Sequence, residues 1–158
     1  MRALVALGSN RGPRRAILGG ALADLGRLPD TRVVRASRIR ETPPEAPSDG
    51  GPFLNAAALL ETALSPSLLM RALLDLERRY GRPPVRARGP RTLDLDLVLY
   101  EGARYSSGQL VLPHPRFRAR PFVLEPAAEV APGMRDPVSG RTLLQLAQGG
   151  LVRRVEGK

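Results

Sequence analysis

The sequence predicts a single α+β domain over residues 1–158. This length is typical of one compact domain with its own core. Hydrophobic residues make up 42% and charged residues 25%, proportions that exclude collagen, coiled coils and wholesale disorder. Strand-like and helix-like apolar patterns alternate along the chain without an internal repeat or a linker, and this order favours strands and helices around one core.

The first third of the chain predicts two strands, a helix and a long loop. A short apolar run at residues 3–7 ends at a Gly-Ser-Asn turn and indicates a buried strand. Apolar residues recur at helical spacing from Pro13 to Gly26, with proline in the first turn. Residues 31–40 alternate and predict a partly exposed strand. Residues 41–52 are rich in Pro and Gly and predict a loop, and loops of this length tend to be functional.

The rest of the chain predicts a strand at residues 53–63 and a helix that opens with the cap Ser65-Pro66 and ends at Gly81. An Arg- and Pro-rich loop follows at residues 82–90. Residues 93–100 alternate most clearly and predict a strand. The remaining expectations are a loop at residues 113–120, a short segment at residues 122–131 and a final helix at residues 141–148.

The net charge of +10 is the strongest compositional signal, and every basic residue except Lys158 is arginine. Such an excess fits a genome or temperature bias, and it also fits a polyanionic partner such as a nucleotide triphosphate. A membrane is disfavoured because the longest apolar runs, such as residues 56–60, are short. The first apolar run reaches glycine too early for a signal peptide, so we expect a cytoplasmic protein.

The absence of cysteine excludes disulfides, thiolate metal sites and a cysteine nucleophile. The one histidine, His114, makes a multi-histidine zinc site untenable. No Gly-rich loop ends in Gly-Lys-Ser/Thr, because the only lysine is the last residue. If a nucleotide binds, arginines and a metal ion must hold its phosphates.

Asp94 and Asp96 are the strongest candidates for metal ligands. Residues two apart on a strand point to the same face, so both carboxylates are expected together while the leucines face the core (Leu93, Leu95, Leu97 and Leu99). Paired carboxylates suit Mg²⁺, which binds one or two of them together with substrate phosphates. A solvated strand face with two incidental acids remains the alternative. The rigid turn at residues 89–92 places Arg91 beside the pair, as phosphoryl transfer requires.

Two further polar residues each allow a structural and a functional interpretation. His114 lies between two prolines that fix its backbone, which fits a positioned ring as well as a structural loop residue. Asn55 begins an apolar stretch. It fits a turn residue at a strand edge, and it equally fits an amide that donates to and accepts from a planar heterocycle.

Five stretches together resemble the 6-hydroxymethyl-7,8-dihydropterin pyrophosphokinase family of folate biosynthesis. They are residues 6–10 (ALGSN), 41–44 (ETPP), 53–57 (FLNAA), 89–96 (GPRTLDLD) and 112–116 (LPHPR). The resemblance runs in the family's order and spacing from residue 4 to about residue 132. The GPRTLDLD run is very specific.

The resemblance implies a fold and a reaction. The fold would be a ferredoxin-like α/β sandwich, with a mainly antiparallel sheet and helices on its faces. The enzyme would be an ATP-dependent diphosphotransferase that moves pyrophosphate from ATP to the pterin's hydroxymethyl oxygen, giving AMP and the pterin diphosphate. Its cofactor would be two Mg²⁺ ions, with ATP as co-substrate, and we expect a monomer.

The resemblance also implies the site residues. The metal ligands would be Asp94 and Asp96, and the catalytic residues would be Arg82, Arg91, Asp94 and Asp96. The pterin pocket would comprise Thr42, Pro43, Phe53, Asn55, Asp94 and Phe122. The nucleotide ligands would be Glu77, Arg82, Arg86, Arg91, Leu97, His114 and Arg120. The chain departs from the family at Arg88, where tryptophan is usual, and at Gln109 and Val111.

We predict that residues 82–90 close over the bound nucleotide as a lid. The segment carries three arginines and no apolar stripe, so its cations repel one another until a triphosphate supplies the countercharge. Trypsin should cut after Arg86 and Arg88 in the free protein, and a non-hydrolysable ATP analogue with Mg²⁺ and pterin should protect both bonds. Because arginine replaces tryptophan, protection should weaken with salt. Equal cutting with and without ligands would show that the segment is no lid.

An RNA-binding module is the rival from another class, because basic ferredoxin-like domains often stack bases on exposed aromatic residues of the sheet. The chain has only three Phe, three Tyr and no Trp, and it lacks an aromatic strand motif. The predicted partners are therefore ATP and the hydroxymethyl pterin, without nucleic acid or membrane.

Overall fold

The computed structural model describes residues 1–47, 50–81 and 92–156, with side chains to residue 149. Within these residues the elements follow in chain order as β1 (Arg2–Ser9), α1 (Arg14–Leu25), β2 (Thr31–Ala36), β3 (Arg40–Thr42), β4 (Phe53–Thr62), α2 (Pro66–Arg79), β5 (Asp94–Tyr100), β6 (Tyr105–Ser107), β7 (Leu110–Leu112), α3 (Pro121–Val130) and α4 (Leu143–Glu156). A short 3₁₀ helix, Phe117–Ala119, precedes α3. None of the described helices is long and apolar enough to cross a membrane.

The central sheet has the strand order β2-β4-β1-β5, with β3 beside β4, and its described pairings are all antiparallel. The main elements therefore follow the β-α-β-β-α-β order of the ferredoxin-like fold. Strands β6 and β7 form a separate hairpin. This arrangement confirms the predicted fold class.

Helices cover both faces of the sheet and create two hydrophobic cores. On one face α1 and α2 bury a leucine-rich cluster against odd-numbered residues of β1 and β5. On the other face α3 and the start of α4 pack with Phe117 against Leu4 and Leu59. Alternation along each strand thus assigns every second side chain to the α3 face.

Most elements lie where the sequence predicts them. Helix α2 begins at Pro66, and the Ser65 hydroxyl accepts the backbone N–H of Leu68 at 3.3 Å, as expected of its cap. The segment at residues 122–131 is helix α3, and the final helix is longer than predicted. The hairpin β6–β7 was not predicted, because its strands have three residues each and too few alternations to show a period.

Two strand predictions were wrong in detail. The strand expected over residues 31–40 ends at Ala36, because Ser37 exchanges hydrogen bonds with the backbone of Ala57 through its N–H and its hydroxyl. Leu99 does not share the core face of the other β5 leucines but packs in the α3 core. The reason is a register shift in the β1–β5 pairing, where Leu4 pairs with Leu99 and the next residue of β1 pairs with Leu97.

The carboxylate of Asp136 is 0% exposed. Its hydrogen bonds anchor the segment after α3. Burial would raise the pKa of this carboxyl, but hydrogen bonds from Arg118, from the Ser139 hydroxyl and from the Val138 N–H hold it well below its ordinary value of 3.8. A carboxyl with a depressed folded-state pKa stabilises the fold fully above its unfolded pKa and loses that contribution as the pH falls.

We therefore expect the free energy of unfolding to fall as the pH drops below about 4. Replacing Asp136 with asparagine should cost about 3 kcal/mol at neutral pH, because it leaves the Arg118 charge partly buried without its partner. The same change should flatten the acid limb of the stability profile. Urea unfolding of both proteins between pH 3 and pH 7 measures the difference, and parallel profiles would contradict this role.

Candidate active site

The candidate site is built across three adjacent strands. In the sheet register, Gly8 of β1 pairs with Asn55 of β4 on one side and with Asp94 of β5 on the other. One step along, Ala6 pairs with Asp96. All of these alternate with core leucines that face α1 and α2, so their side chains lie on the α3 face. The sheet therefore brings an amide and two carboxylates into one surface with small residues between them.

This surface is the floor of an open pocket beneath the start of α3. We call it the Asn55 pocket. Its lining residues are Ala6, Leu7, Gly8, Thr42, Pro43, Glu45, Phe53, Asn55, Asp94, Asp96, Arg120, Phe122 and Val123. Every residue predicted for the pterin pocket lines it.

Asn55 is buried, 6% exposed, and its amide orientation is fixed. Its Nδ2 donates to the Thr42 hydroxyl on the neighbouring β3 strand. A Cβ placed on Gly8 would lie 3.4 Å from Asn55 Oδ1 and 3.5 Å from the Phe53 ring. Glycine therefore leaves the space above the amide oxygen open to a flat ligand.

Aromatic and charged side chains form the walls. Phe53 lies at the start of β4 and Phe122 in the first turn of α3, and both are half-buried. The Arg120 guanidinium lies 5.7 Å from the centroid of the Phe122 ring. Its Nη2 is 3.3 Å from an oxygen of Glu45 across the pocket. The pocket can therefore hold a planar ring beside a cation.

A second pocket adjoins the first at Asp96 and lies between α2, β5 and β7. We call it the His114 pocket. Its lining residues are Met70, Leu74, Arg78, Asp96, Leu97, Gln109, Leu110, Val111, His114 and Pro115. It brings together Leu97 and His114, both predicted nucleotide ligands. Arg120, predicted in the same group, instead lines the Asn55 pocket.

The His114 ring has a polar neighbour near each of its two nitrogens. The Arg116 N–H donates to Nδ1 at 3.2 Å, which leaves the proton of the neutral ring on Nε2. That Nε2 lies 4.0 Å from Asp96 Oδ1. The His114 backbone N–H donates to the Val98 carbonyl at 2.9 Å, and the Leu112–Pro113 peptide bond is cis. His114 thus faces Asp96 through its N–H.

Glu77 lies behind the site rather than in either pocket, as far as the described residues go. It is 2% exposed on α2, and its Oε2 accepts the Leu95 N–H at 2.7 Å. Leu95 stands between the two aspartates on an outer strand of the sheet, where backbone N–H groups lack a strand on one side. Glu77 therefore supports the strand that carries Asp94 and Asp96. Its predicted contact with nucleotide stays a prediction.

The two aspartates fit a magnesium site completed by substrate. Both are only partly buried and line the same pocket. Among the described residues, no group of three or more His, Cys, Asp or Glu side chains could hold a metal by itself. Two hard oxygen donors fit Mg²⁺, which usually takes one or two carboxylates with phosphates and water.

Arg82, Arg86 and Arg91, and with them the predicted lid, lie outside the described residues. Glu45 and Arg78 were missed by the sequence prediction, although they line the two pockets. The one available signal for Glu45 was its place as a carboxylate in a long loop of predicted function.

The chain matches over residues 4–132 the family model described as 7,8-dihydro-6-hydroxymethylpterin-pyrophosphokinase, HPPK. It belongs to this HPPK family. Family membership confirms the predicted enzyme class and the predicted transfer of a pyrophosphoryl group from ATP to hydroxymethyldihydropterin in folate biosynthesis.

Curated relatives agree with this HPPK assignment, and a solved structure has the same fold. The chain is 45% identical over 133 residues to the 2-amino-4-hydroxy-6-hydroxymethyldihydropteridine pyrophosphokinase of Methylorubrum extorquens, covering 84% of each protein. It is 41% identical over 149 residues to the enzyme of the same name from Synechocystis, covering 92% of this chain and 74% of that one. A Plasmodium falciparum HPPK-DHPS triple mutant with SDX-DHP superposes with a TM-score of 0.77 at 13% identity, covering 96% of this chain and 44% of that protein. That likeness shows the fold.

Proposed function

We propose that the Asn55 pocket binds the pterin, that the His114 pocket binds ATP, and that transfer takes place where the two pockets meet. One observation carries this assignment: Asp96 lines both pockets. A group held at Asp96 would be within reach of a ligand on either side. Holding two reactants in contact supplies much of the acceleration in a transfer reaction that needs little covalent chemistry from the protein.

The Asn55 pocket suits the pterin ring. Because Asn55 Nδ2 is committed to Thr42, its Oδ1 remains to accept a ring N–H. Phe53 and Phe122 line the same pocket and would pack on the faces of the heterocycle, which aromatic side chains bind by offset stacking.

Asp94 and Asp96 would hold Mg²⁺, and we propose two ions, as the resemblance implied. When bound, Mg²⁺ neutralises charge on phosphate oxygens and orients them. The side chains proposed to meet the remaining charge are Arg82, Arg86, Arg91 and Arg120, with His114 as an N–H donor. Donors fixed before the reaction stabilise developing charge without reorganising.

The reaction forms a bond between the hydroxymethyl oxygen and the β-phosphorus of ATP. The bond between the β-phosphorus and the oxygen bridging to the α-phosphorus breaks, AMP leaves, and the hydroxyl proton is released. Among the described pocket residues, only Asp94, Asp96 and Glu45 are carboxylates near this point, so positioning is proposed to contribute more than general base catalysis.

The product pair tests this proposal. Incubating the protein with ATP, Mg²⁺ and 6-hydroxymethyl-7,8-dihydropterin should yield AMP and pterin diphosphate in equal amounts, and AMP should not form without the pterin. Chromatography of the nucleotides measures both. Stoichiometric ADP, or AMP formed at the same rate without pterin, would contradict the proposal.

We further propose that residues 1–158 act as one cytoplasmic, monomeric domain without a nucleic-acid partner. Both sheet faces are covered by helices in the described part of the chain, so the open aromatic sheet used by RNA-binding modules has no counterpart there. Residues beyond the family match also pack on α3, since Leu143 is buried in the same core as the α3 side chains. Light scattering on the purified protein tests the monomer.

A further inference from the structure

Arg118 and Asp136 form an ion pair that lies outside both pockets. The pair connects the short turn before α3 with the segment that follows α3. Arg118 Nε donates to Asp136 Oδ2 at 2.6 Å, and Arg118 Nη2 donates to Asp136 Oδ1 at 2.7 Å. The same carboxylate accepts the Val138 N–H at 3.0 Å and the Ser139 hydroxyl at 2.7 Å. Asp136 is wholly buried and Arg118 is 31% exposed. A two-pronged contact of this kind fixes orientation as well as distance.

Arg118 lies on the short connection between two candidate site residues, four positions after His114 and two before Arg120. The connection is the 3₁₀ helix Phe117–Ala119, which has a single turn. Phe117 is 1% exposed in the α3 core, and the Arg118 guanidinium lies 4.7 Å from its ring centroid. The backbone N–H of Arg120 donates to the Phe117 carbonyl at 3.2 Å. The orientation of this turn therefore decides where Arg120 enters the Asn55 pocket.

Arg120 has few fixed contacts of its own in the described structure. Its Nε is buried and has no acceptor among the described residues. Its ion pair is with Glu45, whose side chain is 53% exposed. A buried guanidinium N–H without an acceptor is rare in a folded protein and marks a group that a ligand would satisfy. With few side-chain contacts, the position of the Arg120 guanidinium depends on the backbone that carries it.

We infer that Asp136 and Arg118 are positioning residues for the reaction and that they act through Arg120. Asp136 lies beyond the matched family segment, which ends at residue 132. The inference rests on the proposed function for its kinetic consequence. The substrate-facing group is Arg120, and the ion pair holds the turn that presents it.

A double-mutant cycle separates positioning from general stability. Asp136→Asn should lower kcat/KM for ATP about tenfold when Arg120 is present. In an Arg120→Ala background the same substitution should change kcat/KM less than twofold, because the guanidinium that Asp136 helps to position has already been removed. Equal losses in the two backgrounds would overturn the inference. If Asp136→Asn fails to fold, Arg118→Lys replaces it in the cycle, because lysine keeps the charge but lacks the planar fork. A loss only when Arg120 is present would support the inference, and equal losses in both backgrounds would overturn it.

Thr62→Val is the matched stability control. Thr62 is 2% exposed at the far end of β4, and its hydroxyl lies 2.7 Å from that of Thr31. It should lower the melting temperature without changing kcat/KM. If it lowers kcat/KM as much as Asp136→Asn does, the kinetic loss reports stability alone and the inference fails.

An NMR measurement keeps the inference independent of turnover. The Nε–Hε resonance of Arg120, assigned through Arg120→Lys, should shift in Asp136→Asn and stay in place in Thr62→Val. If wild type forms no AMP, the proposed function fails while this shift still tests the positioning. An Arg120 signal unchanged by Asp136→Asn would overturn the inference even in an active enzyme.

Discussion

Asp96→Ala is expected to lower turnover about a thousandfold while leaving the fold intact. The side chain is only partly buried and lies where the Asn55 and His114 pockets meet. Its loss removes a proposed metal ligand and the carboxylate that faces His114. Because the charge it offsets is greatest in the transition state, the loss should fall on kcat more than on KM. Steady-state kinetics and a melting curve measure the two effects.

Asp94→Ala should behave similarly and should also weaken pterin binding, because Asp94 lies in the same cross-strand row as Asn55. Glu61→Ala is the matched control, since it removes a carboxylate from the other end of β4, where Glu61 pairs with the chain terminus. It should leave kinetics unchanged. Near-normal turnover in both aspartate variants, with unchanged dependence on Mg²⁺, would exclude the metal role.

Asn55→Ala is expected to raise KM for the pterin about 10- to 100-fold, with a smaller effect on KM for ATP. The substitution removes the proposed acceptor for the heterocycle and leaves the Thr42 hydroxyl without its donor. A buried polar group without its hydrogen-bond partner costs about 1–3 kcal/mol. This free energy corresponds to the expected rise in KM for the pterin. Initial rates at varied pterin and saturating ATP give the value.

Thr42→Val provides a graded comparison. It keeps Asn55 but removes the hydroxyl that fixes the amide, so KM for the pterin should rise less than in Asn55→Ala. If Thr42→Val raises KM as much as Asn55→Ala, Thr42 itself contacts the pterin. An unchanged KM in Asn55→Ala would place the pterin outside the Asn55 pocket.

The fold was predictable from the sequence where apolar spacing is long and regular. Strand β5 begins by alternating aspartate and leucine over four residues, so the common face of Asp94 and Asp96 was predictable. The different face of Leu99 was not, because a register shift depends on how β1 and β5 pair rather than on either sequence alone. Ser37 ends β2 for a similar reason, since its hydrogen bonds are to another strand.

The site was predictable where short motifs carry it, and less so where distant segments meet. Asn55, Asp94 and His114 lie within compact motifs that the family shares. Glu45 reaches Arg120 across the pocket from a loop far away in the sequence, and no local pattern reports such a contact. The ion pair of Arg118 with Asp136 was not predictable either, because its partners lie on opposite sides of α3 in the sequence and meet only in the folded structure.

A crystal structure of the protein with Mg²⁺, α,β-methylene-ATP and the hydroxymethyl pterin tests the central claim most directly, because this analogue cannot be cleaved at the bond that transfer would break. We expect the pterin in the Asn55 pocket, the nucleotide in the His114 pocket, and metal density on Asp94 and Asp96 between the pterin hydroxyl and the β-phosphate. Pterin or nucleotide bound outside these pockets, or metal density away from both aspartates, would contradict it.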